Sequence, residues 1–158
     1  EALRQANIGE VAGGGTQLAD EPAGIAWCEV EIELAEASDN AFQKIISILE
    51  NLKAPKGSKL IDPLSNREYL FGVSDGLALF LNGTDLPAET YATSDINELI
   101  EQSIKVLGSD GRLLGNWEGS KEVGLYFYGG SFARMKSALE PIITHHPLCQ
   151  SCRLEQIA

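Results

Sequence analysis

A mixed α+β fold, with a mostly antiparallel sheet and three helices on one face of it, is what this sequence predicts. Three observations carry the prediction. Segments with period-two alternation come in pairs joined by short polar or glycine-bearing turns, as hairpins do. Three segments with apolar residues at helical spacing punctuate those pairs. Helices that interrupt hairpins pack on one side of an antiparallel sheet more readily than between parallel strands. The chain has 158 residues and is 44% apolar, enough for one domain with a proper core.

Residues 1–24 are glycine-rich and weakly patterned, with Gly13, Gly14 and Gly15 in a row. They read as a leading arm that could form half of a hairpin into the first firm strand, and residues 25–158 as a single α+β domain. The firmest strand is Trp27–Leu34, where Cys28, Val30, Ile32 and Leu34 alternate with Glu29, Glu31 and Glu33. One face should be buried and the other wet. Ser38 or Asp39 then caps a helix to about Leu52, with Phe42, Ile45, Ile46, Leu49 and Leu52 on one stripe. Pro55 and Gly57 end it. A short strand at Ser58–Ile61 and a loop from Asp62 to Asn66 lead to a strand pair, Glu68–Val73 and Gly76–Leu81, turning at Ser74-Asp75.

After a polar link, Thr84–Thr93, Ser94 or Asp95 opens a second helix; Asp95 with Glu98 fits capping-box logic. Ile96, Leu99, Ile100, Ser103 and Leu107 form its inner stripe, and Gly108 stops it. A hairpin, Arg112–Trp117 and Glu122–Tyr128, turns at Gly119-Ser120-Lys121. Ser131 caps the third helix, with Phe132, Met135 and Leu139 inward and Pro141 bending it. Cys152–Ile157 is the last strand. A weak repeat at 47 residues pairs Gly72 with Gly119, Phe80 with Phe127 and Gly83 with Gly130. The period is too long for a solenoid and suits two similar halves of one sheet. By element order the whole resembles the ferredoxin-like fold with an added β-α-β arm.

The net charge is −11, and it is lopsided. Residues 1–40 hold nine acids (Glu1, Glu10, Asp20, Glu21, Glu29, Glu31, Glu33, Glu36 and Asp39) against one base, Arg4. Such a field repels phosphate backbones, which argues against nucleic acid, and attracts basic partners; plain solubility is the alternative. No stretch approaches the roughly 20 apolar residues that cross a bilayer, and Glu1–Glu10 lacks a signal-peptide pattern, so no membrane partner is expected. Three cysteines, an odd number, favour a reducing compartment, and the cytoplasm is expected.

One candidate surface comes from a conflict of faces. Leu77, Leu79 and Leu81 oppose Ala78 and Phe80 along one strand. In the last hairpin Val123, Leu125 and Phe127 oppose Tyr126 and Tyr128. If the helices cover one face only, the other leaves apolar side chains bare, and exposed apolar or aromatic patches mark interaction surfaces. Leu79, Leu81, Trp117, Tyr126 and Tyr128 are therefore expected to form a partner or self-association surface, with Glu29, Glu31 and Glu33 steering. The alternative is that the arm folds over this face, since a sheet covered on both sides also reads as continuously apolar.

His145-His146-Pro147-Leu148-Cys149-Gln150-Ser151-Cys152 has zinc-knuckle spacing, but there is no second cysteine pair. Strand alternation would also send Cys149 and Cys152 to opposite faces. The simpler account sets the histidines against the helix dipole and packs Cys149 as an apolar residue, so neither metal nor cofactor is expected. Gly13-Gly14-Gly15-Thr16 lacks the lysine and the strand-loop-helix frame of a phosphate loop. The two histidines are adjacent, no serine lies in a nucleophile elbow, and Glu29, Glu31 and Glu33 face water rather than a cleft. Catalysis is not expected, although an enzyme with an unrecognised site stays open.

The stretches 71–81 (FGVSDGLALFL), 114–119 (LGNWEG) and 125–129 (LYFYG) resemble small acidic bacterial proteins, some of them immunity proteins of toxin systems. The likeness covers residues from about 28 onward. It implies a cytosolic inhibitor that binds a basic toxin, often a nuclease, and transfers no binding residue position by position. The expected function is a non-enzymatic protein-binding domain. The alternative is a regulatory, small-molecule-sensing domain that dimerises through the same apolar face.

Overall fold

A computed structural model of the chain describes residues 1–19 and 24–158. The remainder of the predicted arm, with Asp20 and Glu21, lies outside the described residues. The chain divides into two compact units, Glu1–Val73 and Ser74–Ala158. The boundary falls at 73/74, where an arm to residue 24 and one domain from 25 had been expected. The class is α+β, and the described strands pair antiparallel. They form three sheets, of two, two and four strands, where the alternation had suggested one.

The N-terminal unit contains α1 (Ala2–Gln5), β1 (Gly9–Ala19), β2 (Gly24–Leu34), α2 (Asp39–Asn51), β3 (Ser58–Asp62) and β4 (Arg67–Phe71). Strands β1 and β2 make an antiparallel ribbon from Gly9↔Leu34 to Ala19↔Gly24, bulged between Val11 and Gly13 and between Gln17 and Leu18. The three glycines are thus strand residues facing Glu31, Val30 and Glu29, because cross-strand hydrogen bonds outweigh their weak strand preference.

Ser38 caps α2 by accepting from the Ala41 amide at 3.3 Å, and Phe42, Ile45 and Ile46 are buried. Leu3, Ile8 and Ile45 form a small core with Ile32, Leu34, Ile48, Leu49 and Leu60 around it. Phe42 also meets the Tyr69 ring at 5.5 Å. Gly72 closes the unit. Its φ is +115°, and a Cβ there would lie 1.8 Å from the Pro55 carbonyl oxygen, so only glycine fits.

The C-terminal unit runs β5 (Asp75–Asn82), α3 (Ala88–Thr93), α4 (Ile96–Leu107), β6 (Gly111–Glu118), β7 (Glu122–Gly129), α5 (Phe132–His145), a 3-10 turn at Pro147–Cys149 and β8 (Arg153–Gln156). Its sheet order is β6-β7-β5-β8, antiparallel throughout. Leu77, Leu79, Leu81, Leu125 and Phe127 pack with Leu99 and Leu107 of α4 and Met135, Leu139 and Ile142 of α5. The caps follow the sequence: Asp95 accepts from the Asn97 amide at 2.8 Å, Gly108 ends α4 at φ +51°, and Ser131 caps α5.

Helix α2 belongs to the N-terminal unit, whereas α4 and α5 cover the four-stranded sheet. The link read as polar, Thr84–Thr93, contains α3. Tyr91 anchors it, donating its hydroxyl to the Asn82 carbonyl and accepting from the Leu86 amide. Among the described residues no helix is long and apolar enough to cross a membrane.

Candidate functional site

Antiparallel register decides where the predicted surface residues go. Residues directly opposite one another share a face. Leu79 pairs with Leu125, Leu81 with Val123, and Ala78 with Tyr126. The leucines and the tyrosines therefore lie on opposite faces of the sheet. Leu79 and Leu81 are 0% and 3% exposed within the helix-covered core, which corrects their expected place on an uncovered surface.

Tyr126, Tyr128 and Trp117 do share the other face. Trp117 sits opposite Gly124 and folds its ring across the hairpin turn, where a Cβ at Gly119 would lie 2.0 Å from it. Tyr128 is half-buried opposite Gly76. Tyr126 is only 7% exposed and meets Phe80 edge-on, ring centres 6.1 Å apart at 88°.

Arg153 of β8 completes this face. Its guanidinium lies 3.7 Å from the Phe80 ring centre and donates to both carboxylate oxygens of Glu122 at 3.0 Å, and also to Glu155. The hydrogen bond from Arg153 holds the Glu122 carboxyl below the usual range against the opposing effect of burial, and the bond to Glu122 pushes Arg153 up. A stacked cation and a bidentate pair are geometries that arginine suits and lysine does not. Phe80 and Tyr126 thus already have a cover from their own unit. The sequence reading missed Arg153 and Glu122; the signal was an arginine at a strand position whose cross-strand neighbour is Phe80.

The exposed apolar residues concentrate elsewhere. On the β1–β2 ribbon Val11, Leu18, Trp27 and Val30 are all exposed, Trp27 at 58% and Val30 at 60%. The expected one-sided burial of Trp27–Leu34 holds only at its end, where Ile32 and Leu34 meet the small core. Cys28 and Val30 share that face but are exposed.

The opposite face of β2 carries Trp27, Glu29, Glu31 and Glu33. Their partners are Gln17, Gly15, Gly13 and Glu10, and Glu31 folds its carboxylate over Gly13, where a Cβ would lie 2.8 Å from it. Among the described residues Glu29, Glu31 and Glu33 join no ion pair, while Glu10 binds Arg4 at 2.6 Å. A shallow groove of about 480 Å³ lies at the end of this strip, lined by Arg4, Glu10, Glu33 and Leu34 among others. The arrangement presents an uncompensated acidic strip beside an exposed tryptophan.

The C-terminal cysteines do not split between strand faces, because β8 starts one residue later than predicted, at Arg153. Cys149 is buried and Cys152 half-buried, and the Cys152 amide donates to the Cys149 carbonyl at 3.1 Å. His145 Nδ1 contacts the Pro141 carbonyl at 2.7 Å, and His146 Nδ1 accepts from the Leu148 amide at 3.3 Å. Among the described residues no three of His, Cys, Asp and Glu are grouped to hold a metal ion. Comparison of the chain with protein-family models, curated proteins and solved structures finds no match.

Proposed function

We propose that the protein is a non-enzymatic protein-binding domain, of the inhibitor or immunity type, whose β1–β2 ribbon docks a basic partner. The observation that carries this reading is the strip Glu29, Glu31 and Glu33, which among the described residues joins no ion pair, with Gly15 and Gly13 opposite the first two and Trp27 at its end. Uncompensated acids steer a cationic surface by long-range attraction. A tryptophan combines large apolar area with a polar tip, as interface anchors do. Tyr128 and Trp117 form a second, half-buried candidate contact on the four-stranded sheet.

Two further parts of the reading rest on less. The C-terminal unit is proposed as a split β-α-β domain of ferredoxin-like kind, supported by its order β6-β7-β5-β8 and the alternation of strands with α4 and α5. The cytoplasm is the proposed location, from the cysteine content.

The test is recovery of partners from the native host with the wild type and with the triple variant Glu29→Gln, Glu31→Gln, Glu33→Gln. Binding of the recovered protein is then measured at low and high salt. A basic partner whose affinity falls with salt, and falls at least tenfold in the triple variant, is the expected result. A partner bound equally by both proteins removes the ribbon from the site. Light scattering addresses the regulatory-dimer alternative, which predicts a dimer at high concentration.

A further inference from the structure

Cys149, Gln150, Ser151 and Cys152 form a tight turn with the two cysteines at its ends. Gln150 has φ −61° and ψ 127°, Ser151 has φ +58°, and the Cys152 amide donates to the Cys149 carbonyl at 3.1 Å. These are the marks of a type II turn, whose third position normally takes glycine. Such a turn holds its end Cα atoms within about 7 Å, and disulfides span roughly 4.4–6.8 Å between Cα atoms. Serine in the left-handed region is a local strain of the kind that accumulates where geometry serves a purpose.

From this geometry we propose that Cys149 and Cys152 form a dithiol that exchanges with low-molecular-weight disulfides and closes to an intramolecular disulfide. The turn sets the two cysteines at its ends, and they differ in access. Cys149 is 5% exposed and lies in the main core with Leu148, while Cys152 packs at its margin, half-buried. One sulfur is shielded and the other can be approached, which is the division of labour that exchange needs. Interaction with its neighbour Cys149 lowers Cys152 to about 7 and pushes Cys149 up, which agrees with the approachable sulfur carrying the thiolate.

The step is balanced as follows. The Cys152 thiolate attacks one sulfur of a disulfide RSSR, forming Cys152–S–SR and releasing RS⁻. Cys149 then loses its proton to water and attacks the Cys152 sulfur, breaking that mixed disulfide and releasing the second RS⁻. The protein gains one S–S bond and is oxidised by two electrons; RSSR is reduced to two thiols. A three-residue step closes so small a ring that the bond constrains the unfolded chain little. It is suited to reversible chemistry more than to holding the fold. This inference is independent of the proposed docking ribbon.

The test uses the full chain carrying Cys28→Ser, which removes the exposed third thiol. It is incubated folded with oxidised glutathione, quenched, digested and mapped. The expected product is peptide 137–153 lighter by two hydrogens, with both free thiols lost and glutathione reversing the change. In the same background Cys149→Ala is expected to retain glutathione on Cys152, and Cys152→Ala to react at least tenfold more slowly. If the folded Cys28→Ser chain keeps both thiols, or carries glutathione on Cys152 without the internal bond, the proposal is overturned. That single chain decides it, even if the alanine variants fold poorly.

Discussion

Strands β2 and β5 are both rich in apolar residues, yet one is largely exposed and the other is buried along nearly its whole length. The difference lies in their edges and in what alternates with the apolar positions. Strand β5 is hydrogen-bonded on both sides, to β7 and β8, and apolar on both faces: leucines beneath the helices, Ala78 and Phe80 beneath Tyr126 and Arg153. Strand β2 pairs with β1 alone, alternates with glutamates, and meets a core only through Ile32 and Leu34. A central strand is made by what flanks it on both edges and faces, whereas an alternating strand paired on one edge only makes a surface.

That contrast can be broken most forcefully at the centre of the C-terminal unit. Phe127→Ala removes a fully buried ring that packs on both α4 and α5 residues. It should cost about 3–5 kcal/mol, read as a large fall in the denaturation midpoint.

A smaller effect is expected on the other face of the same sheet. Glu122 is held low by Arg153, so its contribution is present above the ordinary carboxylate range and is lost as the pH falls through its lowered pKa. The pair is about one-third exposed, and screening limits it to roughly 1 kcal/mol. Glu122→Gln should therefore lower stability by about that much near neutrality. The difference from wild type should shrink in acid, followed by urea denaturation at several pH values.

The smallest effect belongs to the ribbon. Val30→Thr, at a position 60% exposed, should change stability by less than about 0.5 kcal/mol. A loss as large as that at Phe127 would mean that this face is covered after all.

Much of the local structure was legible in the residues. Ser38, Asp95 and Ser131 cap the helices they were expected to cap, and Gly108 ends α4, because a cap depends on neighbours three or four positions away. The alternation of β2 placed Glu29, Glu31 and Glu33 together on one face. The candidate surface was read less well. Leu79 was grouped with Tyr126 by hydrophobic character, although each strand's parity was plain; the register Leu79↔Leu125 sets them on opposite faces. Tyr91 hid a short helix within a polar stretch, since its anchoring bonds reach back to Asn82 and Leu86. Cys152 was read as the first residue of the last strand, whereas a turn with Ser151 at positive φ holds it at the turn's end, its amide bonded to the Cys149 carbonyl.

By itself, the sequence determined the α+β class, the caps of α2, α4 and α5 and the acidic strip, all of which follow from the preferences of residues close along the chain. Tertiary structure alone decided that the strands divide among three sheets and that the chain divides after Val73. It also decided that Arg153 lies over Phe80. Those outcomes rest on pairing between residues dozens of positions apart, such as Arg153 with Glu122 and Phe132 with Asp75. Such partners are selected by competition among many registers for the same burial, and no local pattern records which register wins.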